Sequence, residues 1–285
     1  MKRFSLNLFK IVLIKTTKFW IKRNIIAISL IPLSILYFIG SLFLGFSKKT
    51  KKISKPVICI GNFIVGGSGK TPTAIAIGEI FKEIILENTQ NNISQKEFEF
   101  SYLSAGYMGG NDDREAFISL RDGKYSAKDV GDEPMILNEI APTYVARNRL
   151  IGAQRVDKID QIKTVILDDG MQNDSLHKDL TIAVVDGKIG FGNGFLFPAG
   201  PMRQTLNSGL KKVDFIVVIG DAKQELLEKI SSKKIIQAKL VANNLEEFSS
   251  QKLMAFCGLA YPQKFFSFLE RSNLEVLSTK SFPEH

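Results

Sequence analysis

The most constraining feature of the sequence is a glycine-rich stretch between a short apolar run and an alanine-rich segment. Residues 55–78 read KPVICIGNFIVGGSGKTPTAIAIG. Residues 56–60 predict a buried parallel strand, and the segment after Lys70 and Thr71 predicts a helix. A strand, a glycine loop, Lys-Thr and a helix, in this order, form the phosphate-binding loop (P-loop) of nucleotide enzymes. The stretch therefore predicts an α/β fold built around a triphosphate site.

The glycine loop is suited to hold ATP, because its backbone N–H groups can close around the phosphates at a helix N-terminus. We expect Lys70 to reach the β- and γ-phosphates and the Thr71 hydroxyl to bind Mg²⁺. The strict pattern G-x-x-x-x-G-K-[ST] has Gly where this chain has Ile64, and a glycine-rich turn without a ligand is the alternative. The predicted nucleotide-binding residues are Ile64, Val65, Gly66, Gly67, Ser68, Gly69, Lys70 and Thr71.

Acidic side chains follow two other predicted elements. VGDEPMILNEI places Asp132 and Glu133 in the first turn of a helix, where carboxylates often serve only as caps. TVILDDGMQN places Asp168 and Asp169 at the end of an apolar strand. A P-loop fold carries its second Mg²⁺ ligand at that edge, although Asp-Gly is also common in strand-end turns. The predicted metal ligands are Thr71, Glu133, Asp168 and Asp169.

The amino-terminal segment combines a long apolar run with basic flanks. Residues 25–46 contain no charged side chain, and as one helix they would measure about 33 Å, enough to cross a hydrocarbon core. Residues 1–78 hold thirteen Lys and Arg but no Asp or Glu, so the net charge of +9 belongs to this segment and not to a nucleic-acid-binding face. Because both flanks are basic, we predict a helix embedded in the cytoplasmic leaflet in preference to a single span. A buried helix of a soluble core is the alternative.

The remaining chain alternates between predicted strands and helices, which is typical of α/β architecture. We expect a membrane-association segment at residues 1–52, a P-loop domain at 53–180 and a smaller α/β domain at 181–285 with a shortened C-terminus. GFGNGFLFPAGPMRQ, residues 190–204, is too rich in Gly and Pro for regular structure and predicts a packed functional loop with Arg203 available to phosphate.

Four motifs occur in the order VICIGNFIVGGSGKTP, VGDEP, LDDGMQN and VVDGKIGFGNGFLFPAGPMR. Together they resemble the tetraacyldisaccharide 4'-kinases, the lipid A 4'-kinases of Gram-negative bacteria, over nearly the whole chain. The resemblance implies a P-loop α/β/α sandwich with a second, smaller α/β domain and an N-terminal membrane-associated helix. It also implies transfer of the γ-phosphoryl group of ATP, with Mg²⁺, to the 4'-hydroxyl of a lipid-linked disaccharide 1-phosphate at the cytoplasmic face of the inner membrane, giving lipid IVA.

The resemblance also implies roles for single residues. Asp132 would be the base that accepts the hydroxyl proton, Lys70 would act on the phosphates, and His285 would pair with Asp132. Glu133, Asp168 and Asp169 would serve Mg²⁺ and the phosphates. No nucleic acid or protein partner is implied; the partners are the lipid acceptor and the membrane surface.

Three residues depart from the family pattern, and two other readings of the chain stay open. Ala105 and Asn173 stand where the family carries Arg and His, and Gln204 stands where it usually has Glu. A different P-loop ATPase or GTPase is one alternative, although the chain lacks an N-K-x-D motif and has Val65 where K-G-G-x-G-K-T ATPases carry Lys. A membrane-tethered nucleotide-binding protein without catalytic activity is the other.

Overall fold

A mostly parallel sheet of eight strands lies at the centre of the computed structural model, which describes residues 17–46, 50–88, 100–105, 117–242, 244–258 and 262–282. Its strands are β1 (Val57–Gly61), β2 (Phe100–Ser104), β3 (Phe117–Ser119), β4 (Thr143–Ala146), β5 (Thr164–Asp168), β6 (Leu180–Asp186), β7 (Phe215–Ile219) and β8 (Lys234–Ala238). Their order is β3-β4-β2-β5-β1-β6-β7-β8, and β3 alone runs antiparallel to its neighbour. The strand that carries the P-loop is thus flanked by β5 and β6.

Helices cover both faces of this sheet. The helices of the described residues are α1 (Thr17–Ile21), α2 (Ile25–Ser29), α3 (Ile31–Phe46), α4 (Lys70–Asn88), α5 (Ala127–Val130), α6 (Asp132–Ile140), α7 (Arg149–Val156), α8 (Leu206–Lys211), α9 (Gln224–Ile230) and α10 (Pro262–Arg271). Apolar side chains of α4 and α6 pack on one face, and those of α7, α8 and α9 pack on the other. The sequences of β1, β5 and β7 are nearly continuous apolar runs, which is typical of strands that are buried on both faces. The predicted α/β/α sandwich is confirmed.

The strand order disagrees with the predicted boundary between the two domains. Sequence analysis divides the chain between residues 180 and 181, but β6 pairs with β1 from Ile58↔Leu180 to Gly61↔Ala183. The strands up to β8 therefore belong to the P-loop sheet. A separate pair of parallel strands, β9 (Lys252–Cys257) and β10 (Glu275–Ser281), packs with α10. We therefore propose that the smaller α/β unit begins after β8.

The apolar amino-terminal run forms two helices where sequence analysis predicts one. Asn24 caps the first, α2, by accepting a hydrogen bond from the backbone N–H of Ala27 at 2.9 Å. The second, α3, starts at Ile31, and Pro32 follows in its first turn, where a missing N–H costs nothing. Among the described residues, we find no helix with the length and apolar character needed to span a membrane.

Lys55 joins the entry of β1 to the end of α7. Its Nζ donates to the backbone carbonyls of Val156 at 3.0 Å, Asp157 at 2.7 Å and Ile159 at 2.6 Å. A cation at the C-terminal end of a helix satisfies carbonyls that have no partner within the helix and also complements the helix dipole. The strand that carries the P-loop is thereby fixed at its amino end.

We predict that Lys55→Met lowers the free energy of unfolding by about 2 kcal/mol, because three carbonyls lose a charged donor. Denaturant unfolding monitored by circular dichroism measures this. Lys158→Met is the matched control, since Lys158 is exposed in the same turn and its loss should cost less than about 0.5 kcal/mol. Equal losses in the two variants would contradict the assignment.

Candidate active site

The P-loop connects the carboxyl end of β1 to the first residue of α4, as predicted. Gly66 and Gly69 have φ angles of 106° and 90°, in the left-handed region that favours glycine. A side chain at Gly69 would also collide with Ile219 at the end of β7. Lys70 is only 8% exposed, and its Nζ lies 3.9 Å from Asp169 Oδ1. The loop thus has the backbone geometry and the buried lysine of a phosphate cradle.

Two side chains that sequence analysis missed fix the conformation of this loop. Asn62 Nδ2 donates to Ser68 Oγ at 2.9 Å and to the carbonyl of Gly66 at 3.3 Å. Gln172 Nε2 donates to the carbonyl of Asn62 at 2.8 Å. A feature of the sequence that could have indicated Asn62 is its position, because it is a polar residue directly after a buried strand.

The Gly- and Pro-rich loop of residues 190–204 packs against the first half of the P-loop. The backbone N–H of Val65 donates to the carbonyl of Pro201 at 2.7 Å, and the N–H of Arg203 donates to the carbonyl of Phe63 at 2.9 Å. This pairing places the Arg203 side chain beside the carboxylates that follow β5. Arg203 Nη1 lies 2.8 Å and 3.1 Å from the two carboxylate oxygens of Asp169.

Four acidic residues meet in a cavity of about 260 Å³ at the carboxyl edge of the sheet. Asp168 ends β5 and Asp169 follows it, and Asp132 and Glu133 come from the first turn of α6 across the cavity. The Thr71 hydroxyl donates to Glu133 Oε1 at 3.0 Å, which connects the P-loop to α6. The structure therefore brings together the candidate base and the candidate metal ligands.

Burial controls the ionisation of Asp168. The side chain is 1% exposed, and burial raises its pKa from 3.8 to about 7; the negative charges of Glu133 and Asp169 add to this rise. Lys70 and Arg149 act in the opposite direction. The neutral carboxyl is thus favoured below about pH 7 when no cation is bound.

The donor set fits a magnesium ion held jointly by protein and phosphates. Asp168 Oδ1 is buried without a hydrogen-bond partner in the described chain, while the Asp169 carboxylate is already bound by Arg203. Within the described ranges, no three His, Cys, Asp or Glu side chains form a complete metal site. Mg²⁺ in phosphoryl-transfer sites takes one or two carboxylates, with waters and phosphates supplying the other ligands. Thr71 and Asp168 are the residues that best suit this role.

Arg149 and two of the departures from the family pattern lie at the cavity or in the turn that follows β5. Arg149 lines the cavity, and its Nη2 lies 3.4 Å from the carbonyl of Asp169. Ala105 lies at its wall, so the departure there removes a side chain from the cavity itself. Asn173 accepts hydrogen bonds from the N–H and hydroxyl of Ser175, within the turn that follows β5. His285 lies outside the described residues.

A parallel sheet with a P-loop, a buried lysine and a carboxylate at the end of the adjacent strand defines a P-loop enzyme that acts on nucleoside triphosphates. The family model for tetraacyldisaccharide-1-P 4'-kinases matches residues 26–285. The chain belongs to this family. The predicted class, a kinase with an alcohol acceptor, is confirmed.

Similar proteins agree with the family match. The tetraacyldisaccharide 4'-kinase of Methylorubrum extorquens is 37% identical over 235 residues, which are 81% of this chain and 67% of that protein. The enzyme of the same name from Paramagnetospirillum magneticum is 34% identical over 277 residues, covering 94% and 78%. A crystal structure of LpxK from Aquifex aeolicus in complex with ATP has a TM-score of 0.68 at 25% identity and covers 91% of this chain and 82% of that one. The chain thus spans about two thirds of the length of the Methylorubrum protein.

We predict that Asn62→Ala weakens ATP binding about tenfold, because Ser68 and the Gly66 carbonyl lose the donor that fixes the loop; this equals about 1.4 kcal/mol. Titration with ATP measures the change. Asn138→Ala is the matched control: Asn138 also bonds backbone groups, at Leu120 and Thr143, but lies outside the P-loop. It should lower stability and leave ATP affinity unchanged, and unchanged affinity in both variants would contradict the role of Asn62.

We predict that Asp168→Asn stabilises the metal-free protein at neutral and alkaline pH. Because the folded pKa of Asp168 is raised from 3.8 to about 7, its favourable contribution is complete below about pH 4 and is lost as the pH rises through about 7. The stability gain of the variant should therefore grow over this interval, to on the order of 2–4 kcal/mol, and then level off. Unfolding in a chelating buffer from pH 5 to pH 8 measures it; a gain that does not depend on pH would refute the assignment.

Proposed function

We propose that this protein transfers the γ-phosphoryl group of ATP to the 4'-hydroxyl of a tetraacyldisaccharide 1-phosphate and so produces lipid IVA. The observation that supports this most directly is the convergence of Lys70, Asp132 and Asp168 at one edge of the sheet, in a chain of the 4'-kinase family.

In this proposal the P-loop binds the triphosphate of ATP. Its backbone N–H groups and the amino end of α4 face the phosphates, and Lys70 contributes a fixed positive charge from a buried position. Mg²⁺, when bound near Thr71 and Asp168, would neutralise charge on the β- and γ-phosphate oxygens. Little covalent chemistry is left to the protein, so the placement of the acceptor decides the rate.

Asp132 is proposed as the base that accepts the proton of the acceptor hydroxyl. It is exposed at the start of α6, directly after Gly131, whose φ angle of 91° turns the chain into the helix. Glu133, its neighbour, is instead bonded to Thr71. Of these two carboxylates, Asp132 is therefore the one suited to meet an acceptor that enters the cavity from solvent.

The acceptor is proposed to enter from the cytoplasmic face of the inner membrane. Ile25 is 85% exposed and Leu36 is 65% exposed, on the apolar helices α2 and α3. Burial of such side chains in lipid contributes about 25 cal/mol per Å² of apolar surface removed from water. The same helices contact the loop that carries Arg203, since Tyr37 Oη donates to the Arg203 carbonyl at 3.2 Å. An acyl-chain substrate can then stay in the bilayer while its sugar reaches the site.

We predict that Lys70→Ala and Asp132→Asn each reduce phosphate transfer by at least about a hundredfold, since one removes charge stabilisation and the other removes the base. Transfer of γ-labelled phosphate from ATP to tetraacyldisaccharide 1-phosphate, with protein in detergent and Mg²⁺, measures this. ATP affinity should fall in the lysine variant and persist in the aspartate variant.

Asp122→Asn is the matched control for Asp132→Asn. Asp122 is exposed on the 3₁₀ turn Leu120–Asp122 and does not line the cavity, so its loss should leave transfer intact. Absence of label on the lipid with unmodified protein would refute the proposed function, and normal turnover in Asp132→Asn would refute only the role of that base.

A further inference from the structure

A second cavity, of about 790 Å³, lies on the other side of the loop that packs on the P-loop. Consecutive residues of this loop face different sites: Arg203 bonds Asp169 in the catalytic cavity, and Met202 lines the second one. Among the described residues, none lines both cavities. The second cavity is thus separate from the site that holds Lys70 and Asp132.

Positive charge dominates the lining of this cavity. Its described cationic residues come from three separate parts of the chain, and they are Lys22, Arg23, Lys188, Lys223 and Lys229. Glu225 is the one acidic residue of the described lining, and it pairs with Lys229 at 2.6 Å. The remaining four cations leave a strongly positive mouth, to which an anion is attracted.

Apolar side chains form the inner wall below these cations. Phe191, Leu196, Met202 and Leu226 line it, and three of them are buried in the core behind the sheet. A cationic mouth above an apolar wall matches a ligand with a charged head and a hydrocarbon part. A purely polar metabolite would leave this wall without a partner.

The cavity adjoins the exposed apolar helices of the amino-terminal segment. Ile21 lines the cavity and is 45% exposed, and α2 begins four residues later. Arg23 is held at this junction, because its Nε donates to the Asn193 carbonyl at 3.2 Å and its guanidinium lies 5.0 Å from the centre of the Phe195 ring. A bilayer that receives the apolar side chains of α2 would therefore bring its headgroups to the cationic mouth.

We propose that this cavity binds the phosphate headgroup of an anionic phospholipid of the bilayer, with Lys22, Lys188 and Lys223 as its contacts. The proposal deepens the proposed function, on which it rests, by naming a lipid that holds the enzyme at the surface without reacting. Such a site would orient the catalytic cavity toward the membrane, since Met202 lines the second cavity and its neighbour Arg203 bonds Asp169 of the catalytic cavity.

The test compares two charge-reversal variants of equal net charge. Lys188→Glu with Lys223→Glu changes the cavity; Lys223 precedes the first turn of α9, where a carboxylate is favourable, so folding should be preserved. Lys158→Glu with Lys163→Glu changes two exposed lysines near the amino end of β5, at the opposite edge of the sheet. The full chain is sedimented with vesicles of phosphatidylcholine alone or mixed with phosphatidylglycerol.

We expect unmodified protein to bind the mixed vesicles more tightly than the neutral ones. The cavity variant should lose this preference by on the order of tenfold or more, and the control variant should keep most of it. Equal losses in the two variants would overturn the proposal, because they would show an effect of overall charge alone.

Two further measurements distinguish the possible sources of the phosphate group that the cavity binds. If soluble inorganic phosphate or glycerophosphoglycerol displaces the protein from mixed vesicles at concentrations similar to the lipid, a free anion is the ligand and the proposal is wrong. If the cavity variant instead has a raised KM for the acceptor in detergent and unchanged vesicle binding, the cavity holds the substrate's own phosphate and the proposal is likewise wrong. Failure of the proposed function would appear separately, as absent turnover by unmodified protein in detergent.

Discussion

The ion pair between Arg203 and Asp169 joins the parts on which the candidate site depends. Arg203 belongs to the loop after β6, Asp169 follows β5, and the Lys70 ammonium lies 3.9 Å from the same carboxylate. Asp169 also has a positive φ of 51°, a backbone conformation that few residues other than Gly adopt without cost. Because the pair is only partly buried, its net contribution to stability is modest. Its larger effect is positional: it fixes two loops against the P-loop, while Oδ1 of the buried Asp168 has no hydrogen-bond partner among the described residues.

Local sequence was sufficient to predict the parts of the site that follow from one element and its ends. The strand, loop and helix around Lys70 are adjacent in the chain, and the rule that parallel strands end at one edge places Asp168 beside them. The residues that fix the loop were not predictable in this way. The backbone of Asn62 is held by a hydrogen bond from Gln172, which is 110 positions away in the chain, and no spacing pattern reveals that contact. Arg203 was predicted to be available to phosphate, but its partner Asp169 emerged only from the fold.

The domain boundary shows the same limit at a larger scale. An alternation of strands and helices predicts α/β architecture but not which strand lies beside which. Strand β6 begins where the predicted second domain begins, yet it pairs with β1 because the sheet extends in both directions from its central strand.

In the amino-terminal run, hydropathy predicted one helix across residues 25–46. The Asn24 cap and Pro32 set two helix starts within that stretch, which an average over the whole run does not show.

The amino-terminal helices are bonded directly to the loop that carries Arg203. Trp20 Nε1 donates to the Pro198 carbonyl at 3.0 Å, and Ser34 Oγ donates to the Leu196 carbonyl at 2.8 Å and accepts from the Ala199 N–H at 3.0 Å. If these helices attach to a bilayer and the loop contributes to acceptor binding, as proposed above, both events would act on one shared piece of backbone. Under thermodynamic linkage, if attachment to the bilayer raises the affinity for the acceptor by some factor, the bound acceptor raises the affinity for the bilayer by the same factor. An enzyme built in this way would dwell longest on those patches of membrane where its substrate is abundant.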